Sequence, residues 1–371
     1  MSRRPATSLF DDLPKSQETY SDLTVLSMGL GQDSHTILFK IVHDPEFRRR
    51  YVPGGRLLVL FADTGNEHDL TYKYRDEVTI PFCKKHGIEF ISITNDMGYH
   101  ARTWQSLTGQ WENGTPTIGS LAYNKFKTCT HKLKLEPQWR YVERYISENY
   151  DNIPFNGCKK GYTHFAKYYG KIRWLIGIAR GEEKRLSDPT KEDKVWKRQS
   201  IVVEYPLIDV AMNRTDCQNY IKELGYPIPM PSNCMYCQYG CNDMEILWMY
   251  HAYPDNFHEW AAYEQAKLDA HEGATREVTE YFQIAANGKK IPLKKADIKS
   301  GRITDFQTKT VTEDVKNLGV AGRLHKEGSK KGSAVTLYDV LREAQAKYPN
   351  ITLEQLQEYK WSHGHCVESQ Y

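Results

Sequence analysis

Leu23-Thr24-Val25-Leu26-Ser27-Met28-Gly29-Leu30-Gly31-Gln32-Asp33-Ser34 decides the fold. An apolar run of strand length ends in small and polar residues and passes at once into a helical pattern, Ser34 to Arg49, as a buried strand turning into a helix does. Small residues let backbone N–H groups converge on an anion, and the N-terminus of the following helix adds roughly half a positive charge. Such a loop suits phosphate. No Gly-Lys-Ser/Thr follows, so it is not a Walker loop, and cleavage between β- and γ-phosphates of the Walker type is not expected.

Working outward, Arg56 to Thr64 is a second apolar run, and Ile88 to Thr94, Arg173 to Ala179 and Ser200 to Val203 read as further strands. Helical patterns at Asp69 to His86 and Pro137 to Glu148 separate them. The alternation predicts an α/β, doubly wound, mostly parallel sheet. Ligands of such sheets bind outside the carboxyl ends of the strands, which points to the loops after Met28, Thr64 and Ala179. The charged stretch Gly181 to Ser200 is expected to be a mobile loop over that edge. Three parts follow: an N-terminal tail (1–21), a nucleotide-binding domain with a cysteine group (22–241), and a helical and basic C-terminal extension (242–371), in which Thr336 to Tyr359 has helical periodicity.

The 371 residues carry 50 Lys+Arg against 47 Asp+Glu, a formal charge of +3. No global field draws a polyanion, so any nucleic-acid surface has to be local. Lys289 to Lys331 is the one concentrated basic stretch, twelve Lys/Arg against five Asp/Glu; it reads as a solvated linker or as a nucleic-acid-contacting arm. No apolar run nears the roughly 20 residues that span a bilayer, and the N-terminus is polar. A soluble cytoplasmic protein with no membrane partner is expected. The eight cysteines are too sparse for a disulfide scaffold. Cys83, Cys158 and Cys217 stand alone, as small buried hydrophobes do. Cys234, Cys237 and Cys241 crowd together at a spacing that suits zinc or an iron–sulfur cluster, with Cys129 available as a fourth thiolate; metal-free buried thiols are the third reading. Asp63 ends the second strand, where its carboxylate would accept from adenine or ribose, bind Mg²⁺, or cap the next helix. Arg180 and Arg185 on a polar loop could close over a phosphate or sulfate.

Ser27 to Ser34 resembles the PP-loop, Ser-x-Gly-Gly-x-Asp-Ser, in the longer variant of bacterial and phage phosphoadenosine-phosphosulfate (PAPS) reductase-like proteins. Further matches follow in order: Phe61-Ala62-Asp63-Thr64-Gly65-Asn66-Glu67, Cys129-Thr130-His131-Lys132-Leu133-Lys134-Leu135-Glu136-Pro137, Gly177 to Arg185, Tyr205 to Asp209, and Ser232-Asn233-Cys234-Met235-Tyr236-Cys237. The resemblance covers about residues 22 to 260, and Met28 and Leu30 depart from the tighter glycine pair. It implies an adenine nucleotide alpha hydrolase-like fold and ATP with Mg²⁺ in the pocket. Ser27, Gly29, Gly31, Gln32, Asp33, Ser34, Asp63, Thr64 and Gly65 would hold the nucleotide. Asp33, Lys134, Arg180 and Arg185 would act on it, the Lys of the matching motif facing an anionic substrate. Family reductases with a [4Fe–4S] cluster use a Cys-Cys pair at the Cys129 motif and a Cys-x2-Cys pair at the later one. Here Thr128 or Thr130 stands where the second early cysteine would be, and Cys241 would replace it.

Three functions fit. The leading expectation is an ATP pyrophosphatase that adenylates a nucleotide or nucleic acid, with sulfur transfer following as in DNA-phosphorothioation and tRNA-thiolation relatives. A PAPS or APS reductase is the alternative, with Cys366 attacking sulfur, although the chain ends His363-Gly364-His365-Cys366 rather than in the reductases' Glu-Cys-Gly-Leu-His. The third is a non-catalytic nucleotide-sensing subunit whose protein partner belongs to a modification or phage-defence complex.

Overall fold

The computed structural model describes residues 19–109, 129–188, 192, 194–237, 240–316 and 318–362. Its first part runs β1 (Tyr20–Ser27), α1 (Gln32–His43), α2 (Pro45–Tyr51), β2 (Arg56–Ala62), α3 (Asp69–Tyr74), a π turn (Arg75–Thr79), α4 (Ile80–Lys85) and β3 (Glu89–Ile93). A second π turn (Thr130–Leu135) leads into α5 (Glu136–Asn149), then α6 (Lys160–Tyr169), β4 (Lys171–Ile176), α7 (Val195–Ser200), β5 (Ile201–Glu204), α8 (Pro206–Asp209) and α9 (Arg214–Glu223). The five strands lie in the order β3-β2-β1-β4-β5, and every pairing is parallel. The order reverses between β1 and β4, which makes that gap the switch point where doubly wound sheets bind ligands.

Both faces of the sheet are covered, and the strand residues divide between them with period two. Leu23 and Val25 of β1, Leu58 and Leu60 of β2, and Ile172, Trp174 and Ile176 of β4 join one core with Trp139, Val142 and Ile146 of α5. Leu26, Val59, Phe61 and Leu175 join the other with Ile37, Phe39 and Ile41 of α1 and Ile221 of α9. Two-sided burial is why these strands read as continuous apolar runs.

The helix expected over Ser34 to Arg49 is two helices. Pro45 has no N–H and disfavours helix at the residue before it, and Asp44 turns out to cap α2, its carboxylate accepting from Glu46 N at 3.1 Å and Phe47 N at 3.0 Å. Within the loop expected over Gly181 to Ser200, a 3₁₀ turn (Glu183–Arg185) and α7 are formed.

The C-terminal extension is only partly helical. α10 (Asp243–Ala252) and α11 (Pro254–His271) are followed by a second sheet of β6 (Thr275–Ile284), β7 (Lys290–Pro292) and β8 (Gln307–Asp314), with α12 (Lys295–Lys299) between the last two. This sheet is antiparallel in the order β7-β6-β8. Much of Lys289 to Lys331 is therefore regular structure and not a linker. α13 (Leu337–Lys347) and α14 (Leu353–Ser362) return to pack with α10 and α11 around Leu247, Phe257, Trp260, Leu341 and Leu356. Among the described residues no helix is long and apolar enough to cross a membrane.

Candidate functional site

A cleft of about 810 Å³, part of it open to solvent, lies at the switch point. Ser27 at the end of β1 pairs with Leu60 of β2 and Ile176 of β4, so the loops after these strands share one edge. The cleft is lined by Ser27, Gly29, Gly31, Gln32, Asp33 and Ser34 from the first loop, and by Gly177 after β4. Lys134, Gln138, Arg185, Arg214 and Ser232 complete its polar wall.

Gly31 begins α1 without any side-chain cap. The N–H groups of Gln32, Asp33 and Ser34 thus have no intrahelical acceptor, and all three residues line the cleft. The two loop glycines are required by packing. A Cβ on Gly29 would stand 2.7 Å from Ser232 Oγ, and one on Gly31 would stand 2.7 Å from Ser232 N. Gly177 is confined in the same way, its added Cβ 2.8 Å from Ser34 N. The left-handed turn falls instead on Leu30, at φ 59°, a conformation that costs a non-glycine residue about 1 kcal/mol or more. Its side chain is buried in the core beneath α1, which holds it there.

Three cations and one carboxylate line the cleft. Lys134 Nζ is 3.2 Å from Glu67 Oε1. Glu182 bridges the other two, pairing with Arg185 and standing 2.6 Å from Arg214. Arg214 also approaches Asp33 to 3.9 Å. Burial pushes the Asp33 carboxyl above its usual range, Arg214 opposes that, and Oδ1 is buried with no hydrogen-bond partner among the described residues. Gln138, 2% exposed, likewise has a buried Oε1 without a partner. His35, one residue beyond the loop, is structural: Nδ1 meets Gly31 O at 2.9 Å, Nε2 meets Thr79 Oγ1 at 2.8 Å, and burial lowers its pKa to about 4.

The expected site residues divide. Ser27, Gly29, Gly31, Asp33, Ser34, Lys134 and Arg185 come together. Gln32 contributes backbone, while its amide is taken up by Pro229 O at 3.0 Å, Trp361 O at 3.1 Å and Gln218 at 3.0 Å. Arg180 is exposed and does not line the cleft. Asp63 acts as a turn cap, its Oδ1 accepting from Gly65 N at 2.8 Å and Tyr72 Oη at 2.7 Å. Thr64 donates to Glu67 Oε1 at 2.9 Å, and Gly65 turns at φ 74° beside Ser106. Arg214 and Gln138 were missed. Neither lies in a motif; the only hint of Arg214 is the Asn213-x-x-Asp216 capping box that makes it the first residue of α9.

The cysteine turn docks beside the loop after β2 rather than in the cleft: Glu67 pairs with Cys234, and Met235 N donates to Asn66 O at 2.8 Å. Cys234 Sγ donates to Glu67 Oε1 at 3.5 Å and Cys241 Sγ to Cys237 O at 3.5 Å. Cys129 packs on the same helical core as Cys234 and Cys241. Burial pushes the thiols of Cys234 and Cys241 well up. Among the described residues, no three of His, Cys, Asp and Glu stand where they could hold one metal ion. A small cavity beneath the turn is lined by His68, Cys234, Cys237, Glu245 and Trp248. Lys360, fully buried, closes this region by pairing with Glu245 and lying 4.8 Å over the Trp248 ring. Cys366 and Thr128 lie outside the described residues. No family model matches the chain, and no curated protein matches it.

Proposed function

We propose that the chain binds ATP at the switch-point cleft and transfers its adenylyl group to a nucleotide or nucleic-acid acceptor. One observation carries the reading: uncapped N–H groups at the start of α1 share a cleft with Lys134, Arg185 and Arg214, a donor set for a polyphosphate. The α1 N-terminus would hold the β- and γ-phosphates, and the three cations would offset the charge that builds on the leaving group. An acceptor oxygen attacks the α-phosphorus, the bond to the bridging oxygen breaks, and pyrophosphate leaves. Asp33, with a buried oxygen lacking a partner, fits a Mg²⁺ ligand, and the metal would supply further charge neutralisation. Gln138 Oε1 is an acceptor for an N–H or hydroxyl of the nucleotide. No step is routed through the cysteines.

A second reading, reduction of PAPS or APS by Cys366, is favoured by one contact. Trp361, five residues before Cys366 in the sequence, has its carbonyl 3.1 Å from Gln32 Nε2, so the last described residues lie beside the loop after β1. Protein prepared without oxygen should be incubated with labelled ATP and, separately, with PAPS and a thiol reductant. With DNA or RNA added as acceptor, release of pyrophosphate and passage of the α-label to the acceptor are expected, free AMP following only where water or a second nucleophile displaces it. Sulfite from PAPS would favour the second reading, and binding of either nucleotide without turnover would leave a sensor.

A further inference from the structure

The basic stretch of the sequence is two different surfaces in the fold. The chain leaves the helical core after α11 and closes on itself where Val315 N donates to Ala274 O at 2.8 Å, so Thr275 to Asp314 is a single excursion. β6 and β8 pair from Thr275↔Asp314 at its base to Phe282↔Gln307 near its far end. A ten-residue strand such as β6 spans roughly 33 Å. Of the strand residues only Phe282 is buried, and both faces are otherwise open. The feature is a two-stranded ribbon thickened at its far end by β7 and α12.

Charge is segregated along this arm. Glu277, Glu313 and Asp314 lie toward the base, with Arg276 Nε 2.7 Å from Glu313, and Glu280 faces Lys309 nearer the far end. At the far end, Lys289, Lys290, Lys294, Lys295, Lys299 and Arg302 outnumber the carboxylates Glu280, Asp297 and Asp305 by six to three. All six are exposed. Lys290 reaches Glu280 at 3.9 Å and Arg302 reaches Asp297 at 3.4 Å. Lys289, Lys294, Lys295 and Lys299 have no carboxylate within 4.0 Å among the described residues. The rest of the sequence's basic run sits against the helical core, where Lys330 lies 2.8 Å from Asp339 and Arg323, Lys326 and Lys331 are exposed. Toward the far end one face of the ribbon carries Thr279, Tyr281, Thr308 and Thr310, hydroxyl donors of the kind that contact phosphate oxygens, while Glu277 and Asp314 lie on the same face nearer the base.

We infer that the far end of this arm, centred on Lys289, Lys294, Lys295 and Lys299, docks the phosphate backbone of a nucleic acid. This rests on the adenylation reading and names the acceptor as a polynucleotide. Four neutralised phosphates give a log–log salt slope of about −3.6 on duplex DNA, or on the order of 100-fold weaker binding between 50 and 200 mM salt.

The test uses the full chain with fluorescently labelled duplex DNA and single-stranded RNA across that salt range, and measures ATP binding in parallel. Wild type should show the steep slope on at least one polymer. The Lys289→Ala/Lys294→Ala/Lys295→Ala/Lys299→Ala variant should lose most of it and keep ATP affinity, with thermal unfolding confirming that it folds. Lys326→Ala/Lys331→Ala, in the other half of the run, should leave the slope unchanged. Salt-insensitive or absent binding by wild type, an unchanged slope in the quadruple variant, or flotation with anionic vesicles in preference to either polymer would each overturn the inference. Failure of ATP to bind while the slope behaves as stated would sink the nucleotide reading and leave the arm standing.

Discussion

The cleft at the switch point and the pocket beneath the cysteine turn both hold buried charge beside the carboxyl edge of the sheet, and they differ in the space that charge faces. In the cleft, first-turn N–H groups of α1, Asp33 Oδ1 and Gln138 Oε1 are left without partners among the described residues. Under the cysteine turn, Lys360 is matched to Glu245, and Cys234 and Thr64 are matched to Glu67, while Asn233 Oδ1 and both ring nitrogens of His68 are likewise buried without a partner among the described residues. Buried polar groups are costly unless paired. What separates the two is space and the ion pair that closes one of them: the orphaned groups of the cleft face about 810 Å³, whereas those under the cysteine turn surround about 250 Å³ shut by Lys360 and Glu245.

The largest effect expected from this contrast is at Lys360. Replacing it with Met leaves Glu245 buried without its cation and should cost about 3–5 kcal/mol of stability, measured by denaturant unfolding. Lys360→Met/Glu245→Gln should recover part of that loss. A cost below about 1 kcal/mol would remove the pair from the structural side of the comparison.

Next is the pH response of the phosphate-loop helix. His35 is neutral in the fold, its pKa lowered to about 4 from an ordinary 6.5, chiefly by burial. The folded state binds fewer protons than the unfolded one in that window, so stability is full above about pH 6.5 and falls as pH drops toward 4, by roughly 3 kcal/mol from this group. His35→Gln should flatten that decline in urea titrations run at several pH values. An unaltered decline would place the acid sensitivity elsewhere.

The smallest effect separates two arginines. Arg214→Ala should weaken ATP binding by about tenfold or more, the loss of one charge-assisted contact, while Arg180→Ala should change it by less than about twofold. Calorimetric titration of the two variants decides the matter. Equal losses would mean that Arg180 swings into the cleft when the nucleotide binds.

The same contrast explains what could be read in advance. The loop Ser27 to Ser34 was legible because a buried strand, a turn of small residues and a helix start are local events. Its glycines were assigned to anion approach, yet Ser232, some two hundred residues away in sequence, is what leaves no room for a side chain. Asp63, Thr64 and Gly65 lie at the edge their motif indicated, but Tyr72, Ser106 and Glu67 engage them. The arm gave no strand signal, because strands with neither face buried need no alternation of apolar residues.

By itself, then, the sequence determined the five parallel strands, their two-sided cores and the turn of small residues at the head of α1, since hydrophobic periodicity and turn chemistry act over a few neighbouring residues. Tertiary structure decided which charges face the cleft. Arg214 enters it because α9 packs on α1, and Arg180 stays outside. Tertiary structure also split the basic run into an exposed arm end and a loop tied to Asp339. Where a charge points and what neutralises it depend on contacts between distant segments, which no local pattern encodes.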